Sequence, residues 1–247
     1  MASNDIVTAG LLVIGDEILS GRTKDKNIGY IAEYLTTIGI DLKEVRVVPD
    51  DEDEIVAAVN AMRSRYSYLF TTGGIGPTHD DITADSVAKA FGVAVMEDQR
   101  IIEMLLTRFK PEDLHEGRRR MARVPHGADL VPNPVSRVPG FRIENVIVMA
   151  GIPAVMQGML DGVAPSLQTG IKMLSVSIRA DSREGDIALP FGAVAKAHPD
   201  VIMGSYPFSD DRGPNTNLVL RSRDPDKLAA AKEAVEDMLI AVRGKAA

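Results

Sequence analysis

The chain has 247 residues, enough for one large domain or for a medium domain plus a small one. Apolar residues make up 45%, so a sizeable core is feasible, but aromatics are only 4% and Trp is missing, which leaves Val, Ile, Leu, Ala and Met to build it. A formal net charge of −7 argues against a general nucleic-acid binder, because an acidic chain repels a phosphate backbone at long range, and a cysteine count of 0 excludes disulfides, thiolate metal sites and cysteine nucleophiles.

The apolar run Asp5 to Ile14 predicts a buried strand that stops at Gly15. It is too short, and too broken by Thr8, Ala9 and Gly10, to be a signal sequence or a membrane span, so a soluble cytoplasmic protein with no membrane partner is expected. GDEILSGRTKDKN follows as a polar loop. From Asn27 onward, Ile28, Ile31, Leu35 and Ile38 share one helical face, and Gly39 is placed to close it. Leu42 to Val48 predicts the second strand, broken by Pro49, Asp50 and Asp51, and Ile55, Val56, Val59 and Met62 mark the next helix. Tyr68 to Thr72 predicts a third strand, cut off by Gly73 and Gly74. Val87, Ala88 and Phe91 lie on a helix ended by Gly92. Glu97 to Lys110 predicts another, with Ile101, Ile102, Leu105 and Leu106 as its apolar face. Val124 to Phe141 is rich in Pro, Asn and Gly and reads as ordered loop with short strands. Val146 to Met149 predicts a buried strand, turned by Gly151 to Pro153 into a helix over Ala154 to Ala164.

Strands alternating with helices at this spacing predict βαβ units and a mainly parallel sheet, hence an α/β domain over residues 1–168. The pattern changes around Pro165 to Gly170. Beyond it, Met173 to Ala180 alternates, Ile187 to Ala197 is helical, Val201 to Tyr206 and Asn217 to Arg223 are strands, and Asp226 to Val242 is a helix. That order predicts a small α+β domain over residues 169–247, with its helices on one face of the sheet.

The chemistry concentrates in TTGGIGPTHDDIT, Thr71 to Thr83. It follows a strand and precedes a helix, which is where open parallel sheets bind ligands. Gly73, Gly74 and Gly76 allow close backbone approach, and the helix N-terminus offers free amides to a phosphate. The bland alternative is a capped helix start. No Lys follows the last glycine, so this is no Walker A motif, and it is not GxGxxG. Further acids end the other strands: Asp16 and Glu17 after the first, Asp50 and Asp51 after the second, Asp80 and Asp81 after the third. If those strands are parallel, the acids converge beside a phosphate-binding loop, which suits a hard divalent cation such as Mg²⁺. Each pair could instead cap a helix, and for Asp51 capping is the favoured reading. His79 reads equally as a solvated side chain, a loop stabiliser or a ligand contact. Arg118, Arg119, Arg120 and Arg123 read as a solvated helix face or an anion contact. AGIPAVM, Ala150 to Met156, could border the same pocket through Gly151, and Asn133 and Gly140 could wall it.

In this order and spacing, GDEILSGRTKDKN, VVPDD, TTGGIGPTHDDIT, VPNP, VPGF and AGIPAVM resemble the MoaB/Mog-type molybdopterin-binding domain. The likeness is to its CinA (competence/damage-inducible protein A) amino-terminal subgroup, and also to the molybdopterin-binding-like domain of eukaryotic FAD synthases. It covers roughly residues 5–165. GSYPF, Gly204 to Phe208, is similar to a turn in the small domain that follows in those proteins. The resemblance implies a three-layer α/β/α fold that binds a phosphorylated pterin or a nucleotide. Its chemistry would be metal-dependent hydrolysis of a nucleotide pyrophosphate such as ADP-ribose or FAD, or else adenylylation of molybdopterin in molybdenum cofactor biosynthesis. A non-catalytic nucleotide- or pterin-binding module is the remaining reading. By motif position, Asp81 and Asp50 would be catalytic and metal-binding, joined by Asp16, Glu17 and Asp80. Thr72, Gly73, Gly74, Gly76, Pro77, Thr83, Asn133, Gly151 and Pro153 would contact the ligand. Relatives form dimers or trimers, so a homo-oligomer is expected. Ile75 stands where the Mog loop carries Thr, and Ala150 replaces the first Pro of the usual PGxP turn. Ile75 favours pyrophosphate chemistry over pterin adenylylation.

Overall fold

The computed structural model describes residues 6–246; Asp5, the first residue of the predicted opening strand, lies outside the described residues. The chain divides into two compact units, residues 1–170 and 171–247.

The first unit runs β1 (Val7–Ile14), α1 (Asp16–Leu19), α2 (Asn27–Thr37), β2 (Ile40–Val48), α3 (Glu52–Arg63), β3 (Tyr68–Thr72), α4 (Thr83–Phe91), β4 (Val95–Glu97), α5 (Gln99–Leu106), α6 (Glu116–Arg120), β5 (Arg123–Pro125), β6 (Asp129–Val131), β7 (Gly140–Ile143), β8 (Val146–Met149) and α7 (Pro153–Val163). Six strands form its central sheet in the order β2-β1-β3-β8-β7-β6. The first four are parallel, and β7 and β6 add an antiparallel edge.

Strand β1 shows why the sheet is covered on both sides. Its side chains alternate between faces. Leu12 and Ile14 pack with Ile55, Val59 and Met62 of α3 and Val87 of α4. Leu11 and Val13 pack with Ile31 and Leu35 of α2 and with Met156 and Leu160 of α7. Two apolar cores on opposite faces make the three-layer α/β/α arrangement, and a strand buried on both faces reads as a continuous apolar run.

Two predicted segments differ from the structure. The polar loop after β1 opens with the helical turn α1, whose first-turn acids Asp16 and Glu17 complement its dipole. The helix predicted over Glu97 to Lys110 is shorter. Val95 to Glu97 pairs antiparallel with β5 instead, and Asp98 starts α5 by accepting the Arg100 N–H at 2.8 Å. Lys110 precedes Pro111, which disfavours a helical conformation there.

The second unit runs β9 (Leu174–Arg179), α8 (Glu184–Ala197), β10 (Ile202–Asp210), β11 (Gly213–Ser222) and α9 (Pro225–Ala246), with the antiparallel sheet order β10-β11-β9. Leu218 and Leu220 of β11 meet Ile187 and Phe191 of α8 and Ala231 and Val235 of α9 in one core, so both helices lie on one face. Among the described residues, no helix is long and apolar enough to cross a membrane.

Phe70, at the centre of the sheet, is fully buried. Phe70→Ala should cost about 3–5 kcal/mol, read as a lower urea midpoint with an unchanged slope. Glu44 on β2 accepts from the Tyr66 hydroxyl at 2.5 Å and from Arg46 Nε at 2.5 Å. The Tyr66 hydroxyl, then Arg46, holds its carboxyl below the ordinary range. A lowered carboxyl stabilises the fold above its unfolded-state value and stops doing so as pH falls. Thermal scans of Glu44→Gln should therefore show a lower Tm than wild type at pH 7, a gap that closes as pH drops below about 4.

Candidate functional site

The strand order places a crevice. The chain passes from β1 to β2 on one side and then crosses to β3 on the other, so β1 and β3 are neighbours at the point where the sheet order reverses. Helices cover both faces, and the gap outside the carboxyl ends of such strands is where this architecture binds ligands. The registers Ile14 with Val48, Val13 with Thr72, and Thr72 with Met149 keep those ends level. The segments that follow them are therefore brought together: Gly15 to Asn27, Asp50, the glycine loop, and Ala150 to Pro153.

The glycine loop could not be built from other residues. Gly73 has φ 103°, and a Cβ there would lie 2.1 Å from the Ile14 carbonyl oxygen. Gly74 has φ 64°, and its Cβ would lie 2.2 Å from Thr83 Oγ1. Both positions are open to glycine alone. Thr83 is fully buried at the start of α4. Its hydroxyl donates to the Gly73 carbonyl at 3.0 Å and its N–H to the Gly74 carbonyl at 3.0 Å. Thr83 therefore staples the loop to the helix. Ile75 packs against both apolar cores and pins the loop from below. At the tip, Asp81 accepts from the Thr78 N–H at 2.8 Å and the Thr78 hydroxyl at 2.5 Å. Pro77 is exposed, and the His79 side chain is 98% exposed, which places that histidine in solvent.

The acids separate into groups. Asp50, Asp16, Glu17 and Asp80 line one open cavity of about 470 Å³, together with Leu19, Ser20 and Arg22. Asp50 Oδ2 accepts the Asp16 N–H at 2.9 Å, which leaves Oδ1 for a ligand. Burial pushes the Asp50 carboxyl up; the Asp16 N–H opposes this, while the charges of Asp16, Glu17 and Asp80 add to it. Asp80 is instead held low by hydrogen bonding within the loop. Asp51 caps α3, accepting from the N–H groups of Asp53 and Glu54 at 3.0 and 3.1 Å. Asp81 does not line the acidic cavity. It borders a tight crevice on the other side of the loop with Gly74, Gly76 and Arg120. Among the described residues, no three acidic or histidine side chains are gathered closely enough to hold a metal ion by themselves.

The arginine run also divides. Arg118 donates to the Asp113 carbonyl at 2.6 Å and lies over the Phe109 ring. Arg119 pairs with Glu97 and Arg123 with Asp85. Arg120 turns to the loop, with Nη2 3.2 Å from the Asp81 carbonyl oxygen and Nε buried without a partner. Asn133 is buried, but all its groups are committed to its own turn. Its Nδ2 donates to Ser136 Oγ and the Val138 carbonyl, and its Oδ1 accepts from the N–H groups of Val135 and Ser136. Gly151 lies against Gly73, where a Cβ would be 3.3 Å from the Gly73 Cα, and Pro153 starts α7. Sequence reasoning gave no role to Asn27, whose Nδ2 donates to the Gly151 carbonyl at 2.8 Å, nor to Arg22. Their one signal was membership of GRTKDKN, which reads as ordinary polar loop.

Residues 10–169 match the family model described as a probable molybdopterin binding domain, and residues 172–243 match the FAD synthase middle domain. An Archaeoglobus fulgidus protein is 33% identical over 230 residues, covering 93% of this chain and 96% of its own length. The probable FAD synthase of Caenorhabditis briggsae is 29% identical over 259 residues, or 94% of this chain, and the chain spans 50% of that protein. The structure of a CinA protein from Thermoplasma acidophilum, described as of unknown function, matches with a TM-score of 0.62 and 31% identity. It covers 66% of this chain and 98% of its own. The level strand ends, the glycine loop stapled by Thr83 and the acidic cavity beside it are thus features of a CinA-like protein, and the chain belongs to the molybdopterin-binding-domain family.

Proposed function

We propose that the chain binds a nucleotide pyrophosphate across the crevice between β1 and β3 and hydrolyses its P–O–P bond with a divalent metal such as Mg²⁺; ADP-ribose and FAD are the candidate substrates. The observation that carries this reading is Asp50, a partly buried carboxylate with one oxygen uncommitted, in a ligand-sized acidic cavity beside a glycine loop. The residues fit a hard cation. Every acidic donor in the cavity is a carboxylate oxygen, and burial, with the charges of Asp16, Glu17 and Asp80 added to it, raises Asp50. Mg²⁺ keeps several waters and takes one or two carboxylates plus phosphate oxygens, so it needs no closed shell of protein ligands. Asp50 and Asp80 would hold it, with Asp16 and Glu17 alongside. When bound, such an ion neutralises phosphate charge and activates water.

The chain's own residues supply the rest. The backbone around Gly74 and Gly76 and the N-terminus of α4 hold phosphate oxygens. Arg22 lines the acidic cavity and supplies a positive charge there for the anion. With Asp50 Oδ1 given to the ion, the proton of the attacking water would pass to a neighbouring carboxylate of the cavity, Asp16 or Glu17. Asp81 acts one step back, closing the loop through Thr78 and so fixing where the phosphate lies. With ADP-ribose, one water is consumed and AMP and ribose 5-phosphate are released.

The family match favours one second reading, adenylyl transfer to molybdopterin at the same loop. Transfer of AMP from MgATP to molybdopterin, faster than AMP release from ADP-ribose or FAD, would establish it in place of hydrolysis.

Chromatography of AMP released from ADP-ribose and FAD with Mg²⁺ tests the main reading. Asp50→Asn should lose about 10²-fold or more in kcat. Asp81→Asn should chiefly raise KM. Equal background rates for wild type and Asp50→Asn overturn hydrolysis at this site. With chelator at pH 7, Asp50→Asn should melt about 2 °C above wild type, because it removes one of four mutually repelling charges from the cavity. Adding Mg²⁺ should raise the wild-type Tm more than that of Asp50→Asn.

A further inference from the structure

Of the six buried side-chain polar atoms without partners among the described residues, four lie around the glycine loop. Asn27 Oδ1, Thr71 Oγ1, Thr72 Oγ1 and Arg120 Nε are all closed to solvent and unpartnered. They belong to the loop and its strand, or lie one contact away. A buried polar atom left unpaired is destabilising, so such a cluster is a cost the fold bears for a reason outside its own stability.

Asn27 is the most constrained of these. It is the first residue of α2 and is 4% exposed. It is not needed as a cap, because Asp25 Oδ1 already accepts the N–H groups of Asn27 and Ile28 at 3.0 and 2.7 Å. Its amide can face only one way. Nδ2 donates to the Gly151 carbonyl at 2.8 Å, and the reverse orientation would set two oxygens against each other. The carbonyl oxygen Oδ1 is therefore the free end, an acceptor and never a donor. Thr72 points to the same face of the sheet as Tyr68 and Phe70, which pack in the core containing Ile31 and Leu35 of α2. Gly151, to which Asn27 is tied, is exposed and lies against Gly73, so the orphan oxygen sits one residue beneath the surface of the candidate site.

We propose that Asn27 Oδ1 is a specificity-determining acceptor that pairs with an O–H or N–H donor on the nucleoside part of the ligand whose phosphate sits on the glycine loop. This rests on the nucleotide reading of the same site. The acceptor rejects ligands that lack the donor. A site built to hydrogen-bond a substrate group penalises the analogue without it, because the buried partner is left unpaired.

Binding of AMP, 2′-deoxy-AMP, 3′-deoxy-AMP and IMP, measured by calorimetry without turnover, tests the proposal in wild type and in Asn27→Ala. IMP lacks the 6-amino donor, and the two deoxy nucleotides each lack one hydroxyl, so the arms identify the donor. Wild type should bind one of the three analogues about 10- to 100-fold more weakly than AMP. In Asn27→Ala, that analogue and AMP should bind equally. Asn27→Ser, which also removes the acceptor but leaves a small polar residue at the start of α2, should likewise abolish the discrimination if Asn27→Ala fails to fold. Equal binding of all four nucleotides to wild type overturns the proposal and leaves the nucleotide reading standing, as does a discrimination that persists unchanged in Asn27→Ala. Failure of wild type to bind any of the four overturns both.

Discussion

The close approach of β3 to β1 at Gly73 governs the site. A side chain there would enter the Ile14 carbonyl, so the backbone can turn at the strand end only with glycine. That turn lets Gly74 fold over Thr83 and lets Thr83 return two hydrogen bonds to the loop. Once held, the loop and the start of α4 lie at the carboxyl end of β3, where the sheet order reverses. Ile75 adds weight from below by packing into both cores, so the loop is fastened by apolar contacts as well as by hydrogen bonds.

Against this rigid turn the charges are arranged at some cost. Four carboxylates share a cavity with a single arginine, and one of them, Asp50, is raised by burial and by its neighbours. Paired acids elsewhere in the chain are neutralised by arginine or lysine, as Asp85 is by Arg123 and Glu52 is by Lys89. An uncompensated acidic group of this kind is unfavourable in the free chain. Perturbed carboxyls of this kind concentrate where function opposes stability.

The division of the acids revises their expected roles. Asp80 and Asp81 are adjacent in sequence, yet the loop sends one into the acidic cavity and turns the other back onto Thr78. Asp81 and Arg120 then brace the loop from the far side. Asn133, expected at the wall of the site, is instead occupied within its own turn. The arginine run likewise proves to be four separate arrangements, of which only Arg120 reaches the loop.

Much of the architecture was legible in the chain itself. Apolar runs of strand length, bounded by glycine or proline, located Tyr68 to Thr72 and Val146 to Met149, and periodicity located the helices between them, because burial on both faces leaves a continuous apolar signature. The glycine loop was legible because positive φ and backbone crowding exclude other residues. The helical turn at Asp16 and the short strand at Val95 were not, since a four-residue turn and a three-residue strand carry too little periodicity to register. Which acids meet was also beyond the sequence. Asp16, Glu17, Asp50 and Asp80 come from three separate segments, and only the parallel registers of β1, β2 and β3 make them neighbours. The same holds for Asn27, an ordinary polar residue at the start of α2 until the fold brings it to the Gly151 carbonyl. Local residue chemistry determined the elements and the loop, whereas the pairing of distant strands decided which polar groups face one another across the crevice.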